Sequence, residues 1–174
     1  MVNNVRRFSK SWLLLVLIIL FVVFVRVRLL EIPLERDEGE YAYMGQLILQ
    51  GIPPYGEAYN MKFPGTYLMY AVIMAIFGQT IEGIHIGLII VNCASLLLVY
   101  LLARKIVSDI PAAVAGGTYG VLSLSSSVFG FSAHATHFVV LPALCGTLLL
   151  LYAFEKRDLR LFFFSGALLS FLSL

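Results

Sequence analysis

Charge is scarce in this sequence: 13% of its 174 residues are Asp, Glu, Lys or Arg, against about a quarter in water-soluble domains. Together with 60% hydrophobic residues, that scarcity excludes a soluble globular domain and indicates an integral membrane protein. An excess of one sign is missing too. Twelve Lys plus Arg against ten Asp plus Glu leave a formal +2, scattered along the chain, which excludes a nucleic-acid surface. Cysteine is almost absent: Cys93 and Cys145 both lie in apolar runs without Cys-x-x-Cys or Cys/His spacing, so both read as packing residues. Low-complexity tracts and heptad repeats are lacking as well. A polar exit is missing at the end, where the apolar run 161–174 stops at Leu174. The chain therefore reads as the front part of something larger.

What is present in abundance is long apolar runs. A helix needs roughly 20 mostly apolar residues to cross about 30 Å of hydrocarbon. Runs of that kind cover residues 12–30, 84–102, 110–131, 138–154 and, unfinished, 161–174. The first follows Arg6, Arg7 and Lys10 but lacks a small-residue cleavage site, so it reads as an uncleaved span with its N-terminus in the cytoplasm. A shorter stretch, 65–78, decides the topology. Its fourteen residues reach only about 21 Å as a helix. If it lies at the outer interface, then Arg6, Arg7, Lys10, Arg104, Lys105, Lys156, Arg157 and Arg160, eight of twelve basic residues, fall on the cytoplasmic side. The expectation is an all-α polytopic membrane protein, forming one transmembrane module, with an external loop over 31–83 that holds surface helices at 38–50 and 65–78. Arg26 and Arg28 sit at the outer end of the first span against this rule and are expected to snorkel to the headgroups.

The external loop concentrates the acids. Glu31, Glu35, Asp37, Glu38, Glu40, Glu57 and Glu82, seven of ten acidic residues, fall there, with Arg36 and Lys62 as the only basic company. Loops longer than about 12–15 residues tend to be functional or to hold their own structure. The segment 38–50 carries Tyr41, Met44, Leu47 and Ile48 on one helical face and is stopped by Gly51 and Pro53-Pro54. Asp37 and Glu38 stand at its start. From the residues alone two readings stay open: helix caps favoured by the helix dipole, or a general base or metal ligand in a shallow pocket.

Order and spacing from about residue 36 to 78 carry a family resemblance. Arg36-Asp37-Glu38-Gly39-Glu40-Tyr41-Ala42, then Gly51-Ile52-Pro53-Pro54-Tyr55-Gly56, then Lys62-Phe63-Pro64-Gly65-Thr66-Tyr67-Leu68, then Phe77-Gly78, resemble the first external loop of GT-C membrane glycosyltransferases. The branch is the one holding protein O-mannosyltransferases and aminoarabinose transferases. The resemblance implies a GT-C-like N-terminal transmembrane module with two juxtamembrane helices in that loop. It implies transfer of a sugar from a polyprenyl-phosphate donor to an acceptor hydroxyl on lipid, glycan or protein, outside the plasma (inner) membrane. Asp37 would be the general base and Glu38 would orient it or share a metal or acceptor contact. Lys62 would meet the carrier phosphate, with Tyr41 among the substrate-binding residues.

Two departures stand out. Lys-Phe-Pro replaces the Lys-Pro-Pro of relatives, and the second external loop, 131–138, holds no carboxylate where relatives place one. His134 and His137, three apart, are candidates to substitute by substrate binding or by metal ligation beside Asp37 and Glu38. Metal dependence stays open. His85 and Asn92 lie seven apart on roughly one face of the second span and are expected to face the bundle interior. The small residues Gly116, Gly117, Gly120, Ser123, Ser125, Ser126 and Ser127 of the third span read as helix packing. The competing function is a non-enzymatic multi-pass protein, a small transporter or assembly subunit. A transporter would place its ionisable groups near the bilayer midplane, whereas Asp37, Glu38 and Lys62 fall in the outer loop.

Overall fold

The computed structural model describes residues 10–59 and 62–170. Arg6, Arg7 and the end of the last apolar run, 171–174, lie outside the described residues. Among the described residues seven α-helices follow one another: α1 Lys10–Val27, α2 Arg36–Leu49, α3 Gly65–Phe77, α4 Ile81–Ala103, α5 Asp109–Leu122, α6 Ala135–Lys156 and α7 Leu159–Ser170. A single 3-10 turn, Ser126–Val128, interrupts the α5–α6 connection, and among the described residues there is no strand. By length and composition α4, with 23 residues, and α6, with 22, are able to cross a membrane, while α1, α3 and α7 are shorter apolar helices.

Helix α4 is the axis of the assembly, packed against α1, α3, α5 and α6. Its contact with α5 follows from the small residues there. Gly116 and Gly120 lie against Leu96 of α4, and Gly117 lies against Ile18 of α1, so the three glycines let these helices approach closely. Around this contact Leu15, Val22, Leu96, Tyr100, Ala112 and Ala113 form one apolar cluster. A second cluster sits towards the other end of α4, where α2 and α3 fold over it. Tyr41, Met44, Leu47, Tyr67, Tyr70, Ile73, Met74, Ile84, Leu88 and Phe138 are buried there. The Tyr41 ring meets Tyr70 edge-on at 5.5 Å, and Tyr70 meets Phe138 at 5.6 Å. Such pairs add about 0.5–1.5 kcal/mol each beyond the area they bury. Helices α2 and α3 thus stand on an aromatic platform of their own.

The third apolar run behaves differently from its expected single span. Helix α5 ends at Leu122, and residues 123–134 form a folded loop. Ser123, Ser125, Ser126 and Ser127 are the reason: serine side chains compete for backbone hydrogen bonds and favour turns over helix. Ser125 caps the 3-10 turn by accepting from the Ser127 N–H at 3.2 Å. Gly130 is required where the loop doubles back, because a Cβ there would collide with the backbone oxygens of Ser123 and Ser125.

Arg26 corrects the snorkelling expectation. It is buried, and its guanidinium donates to the Gly130 carbonyl at 2.6 Å and to the Ser123 carbonyl at 2.9 Å, pinning the α5–α6 loop to the end of α1. The apolar stem alone would have let it reach the headgroups. Two carbonyls freed by the serine-rich helix end supply a nearer set of acceptors.

Candidate functional site

The site begins with the way α2 starts. Glu35, in extended backbone, is the N-cap: its side chain accepts from the Asp37 N–H at 2.8 Å, and the Glu38 side chain accepts from the Glu35 N–H at 2.8 Å. This is a capping box built from two glutamates. Asp37 and Glu38 are therefore first-turn residues, and neither is the cap. Successive helical positions are about 100° apart, so one carboxylate turns into the protein and the other out.

Glu38 turns in and is 1% exposed. Besides the Glu35 N–H, it accepts from the Ala133 N–H of the α5–α6 loop and lies 3.3 Å from His85 Nε2 of α4. Burial pushes its carboxyl up, but the hydrogen bonds from His85, Glu35 and Ala133 outweigh that and hold it below the ordinary glutamate value. Every side of this carboxylate is occupied.

Asp37 turns out, with a fifth of its side chain exposed. Lys62 Nζ donates to its Oδ2 at 2.9 Å and to the Tyr41 hydroxyl at 2.7 Å. The hydrogen bond from Lys62 is the main cause that holds Asp37 below the ordinary aspartate value. Desolvation opposes the charge on Lys62, yet its bonds to Tyr41 and Asp37 hold it above the ordinary lysine value. Burial pushes the Tyr41 phenol up, so it stays neutral as the acceptor. The lysine is placed by its backbone: the Tyr55 hydroxyl donates to the Lys62 carbonyl at 2.5 Å. Tyr55 itself holds a left-handed φ of 67°, an uncommon state for a bulky side chain and one that clusters at functional sites.

The α5–α6 loop closes the site. His134 is the N-cap of α6, where its Nδ1 accepts from the Thr136 N–H at 3.5 Å. Nδ1 is thereby an acceptor, leaving Nε2 to carry the proton 3.6 Å from Asp37 Oδ2. The imidazole stacks on Phe129 at 5.1 Å. His137 faces elsewhere: it is buried, and Nε2 donates to the Phe129 carbonyl at 3.2 Å. Of the sequence candidates, Asp37, Lys62, Tyr41 and His134 converge, while Glu38 and His137 serve the surrounding frame.

A divalent ion does not fit this arrangement. Among the described residues Asp37 meets one potential ligand, His134, and Lys62 already bonds the same Oδ2, while the other such pair, Glu38 with His85, is enclosed. Among the described residues no group of three His, Cys, Asp or Glu side chains could hold a metal. The sequence placed His85 in the bundle interior, where it is buried, and Arg26 at the headgroups, but it gave no role at the site to either, nor to Tyr70 or Tyr55. Ionisable groups inside apolar runs were the available signal for the first two. Tyr55 stands in the Gly51–Gly56 turn that carries the family resemblance, whereas nothing local distinguishes Tyr70 from a packing residue.

A family model described as dolichyl-phosphate-mannose-protein mannosyltransferase matches residues 61–173. The chain belongs to this family. The mannosyltransferase-family match includes Lys62, His85, His134 and His137, whereas Asp37 and Glu38 lie ahead of it. Among curated proteins the chain is similar to an undecaprenyl phosphate-alpha-4-amino-4-deoxy-L-arabinose arabinosyl transferase of Pseudomonas aeruginosa (strain LESB58), 29% identical over 133 residues. That match covers 71% of this chain and 24% of the relative. It is also similar to the protein of the same name from Pseudomonas savastanoi pv. phaseolicola, 40% identical over 78 residues, 42% of this chain and 15% of the relative. The chain thus spans at most about a quarter of the length of these relatives. No solved structure matches it.

Proposed function

We propose that this chain is the N-terminal module of a membrane glycosyltransferase that moves a sugar from a polyprenyl-phosphate carrier to an acceptor hydroxyl on the extracytoplasmic side. One observation carries the reading: of two adjacent carboxylates, Glu38 is consumed by the frame while Asp37 is left open beside a lysine 2.9 Å away. A base for the acceptor and a cation for the carrier phosphate are thus side by side. The names of the relatives support the carrier class.

In the proposed reaction the acceptor O–H gives its proton to Asp37 as its oxygen bonds to the anomeric carbon. The bond from that carbon to the carrier phosphate breaks, and the phosphate leaves with the electron pair. Lys62 faces the negative charge that develops there. When the phosphate draws Lys62 away, Asp37 loses the bond that keeps its affinity for protons low, so the base strengthens as the donor arrives. His134 Nε2 and the Tyr41 hydroxyl border the acceptor side.

The orientation is supported by the two ends of α4 and α6. His85 and His134 mark the end that bears the site, whereas Arg104, Lys105 and Lys156 mark the other, where Lys105 pairs with Glu155 at 2.8 Å. Basic residues gathered opposite the acidic loop accord with a cytoplasmic face there. Helix α3, 13 residues long, reaches about 20 Å, which suits an interfacial position better than a span.

The test is Asp37→Asn in the full polypeptide that carries this chain, reconstituted in proteoliposomes with a polyprenyl-phosphate sugar and an acceptor extract. Loss of transfer by about 10²- to 10⁴-fold is expected. Transfer at the parental rate would overturn the catalytic assignment.

A further inference from the structure

The carboxylate of Glu38 has three donors around it and no acceptor. Oε2 takes the Glu35 N–H at 2.8 Å; Oε1 takes the Ala133 N–H and faces His85 Nε2 at 3.3 Å. On the far side of the imidazole, Nδ1 lies 2.7 Å from the Leu30 carbonyl, an acceptor only, so Nδ1 carries a proton. The remaining proton lies between Nε2 and Oε1, and the pair is neutral overall wherever along that line it sits. A neutral, hydrogen-bonded pair is the form in which such groups survive burial, and Glu38 and His85 are 1% and 4% exposed.

This pair joins four separate pieces of chain: the exit of α1 at Leu30, the start of α2 at Glu35, α4 at His85 and the second outer loop at Ala133. The same Ala133 peptide is held from its other side, where the Tyr70 hydroxyl of α3 donates to its carbonyl at 2.7 Å. The next residue is His134, and the residue before Glu38 is Asp37. Whatever fixes Glu38 on Ala133 therefore fixes the separation of the base from the histidine.

We infer that Glu38 and His85 act as a positioning pair, which locks the α5–α6 loop onto the first turn of α2 so that His134 meets Asp37. Neither touches substrate. The inference rests on the transferase reading, and it assigns Glu38 a role distinct from that of its neighbour: removing its charge misplaces the base without removing it.

The probes are Glu38→Gln, His85→Gln and the double variant, beside Asp37→Asn, all in the full polypeptide in nanodiscs. A glutamine at 38 has one acceptor atom for three donors, so its amide N–H must oppose either the Glu35 or the Ala133 N–H. Misplacement of a reacting group by about 1 Å lowers turnover roughly 100-fold. Glu38→Gln and His85→Gln are each expected to lower kcat by about 10- to 100-fold, with the surviving activity keeping the acid limb of the parental pH profile. Thermal unfolding is expected to show coupling, the double variant melting no lower than the worse single one.

Additive losses in melting temperature would overturn the pair, as would a parental kcat in Glu38→Gln. So would a loss in Glu38→Gln as complete as in Asp37→Asn with unchanged melting, because that would make Glu38 the base. Parental turnover in Asp37→Asn would instead overturn the transferase reading. The melting cycle still decides whether the pair exists in that case.

Discussion

Replacing Arg26 by methionine isolates what a buried cation does at the C-terminal end of α1. In the parent, the guanidinium serves two carbonyls, Gly130 at 2.6 Å and Ser123 at 2.9 Å, and reaches the Ser123 hydroxyl at 3.3 Å. No carboxylate pairs with it among the described residues. Two terms oppose each other in Arg26→Met. The variant no longer buries an ionic group without a counter-ion, which relieves an effective penalty of several kcal/mol. It also leaves two buried carbonyl oxygens unpaired, at about 1–3 kcal/mol each. The first term acts on the whole fold, because Arg26 stays buried until α1 leaves α5. The second acts only while the loop is closed, because an open loop lets both carbonyls find water.

Global stability is therefore expected to change little, while opening of residues 123–134 becomes easier by at least about 2 kcal/mol. At about 1.4 kcal/mol per tenfold, exchange there accelerates roughly 30-fold or more. Hydrogen–deuterium exchange in nanodiscs, read by mass spectrometry on peptides from 123–134 and from α4, measures both regions in one experiment. Parental exchange across 123–134, or the same acceleration in α4, would refute the reasoning.

Two further predictions address the site and its support. Lys62→Gln removes the hydrogen bond and charge that hold Asp37 low, leaving exposed Arg36 as its remaining cation beside His134. The base form of Asp37 exists above its pKa and is lost as pH falls through it, so the acid limb of kcat/KM moves to higher pH. The limb of kcat moves less if, as proposed, Lys62 faces the phosphate once donor is bound; a limb that stays put in kcat/KM argues against the pairing. At the α3–α4 corner, Gly83→Ala would bring a Cβ within 2.5 Å of the Gly78 carbonyl and 2.9 Å of the Phe77 carbonyl, both backbone atoms. A destabilisation of about 1–3 kcal/mol is expected, seen as a melting point lower by roughly 2–12 °C.

The helices were legible in the sequence where apolar periodicity and stop residues agreed. The expected 65–78 is α3, Gly65–Phe77, and the expected 84–102 lies within α4. The third run misled because hydropathy counts serines near glycines as tolerable, whereas their side chains end α5 at Leu122 and fold the rest into a loop. The start of α2 misled for a related reason. Asp and Ser are the common N-caps, and the geometry chose Glu35, whose reciprocal bond with Glu38 spans one helical turn.

At the site, the family resemblance brought Asp37, Lys62 and Tyr41 into view, because all three belong to the one continuous loop that carries it. The position of His134 beside them depends on Ala133 meeting Glu38, a contact between residues far apart in the chain. His134 and His137 sit three apart, yet one caps α6 from outside and the other lies within it, so they do not come together at the site.

Ala133 is held at both its N–H and its carbonyl, by Glu38 and by Tyr70, through atoms that every residue except proline carries. A saturation screen for loss of loop closure would therefore recover few lesions at position 133 on hydrogen-bonding grounds, and would recover there only proline or side chains too large for a fully buried methyl. Its informative hits would lie at 26, 38, 70 and 85, on four different helices. The loop is specified by side chains on the helices around it, and a mutational map of its own twelve positions would underestimate how tightly it is specified.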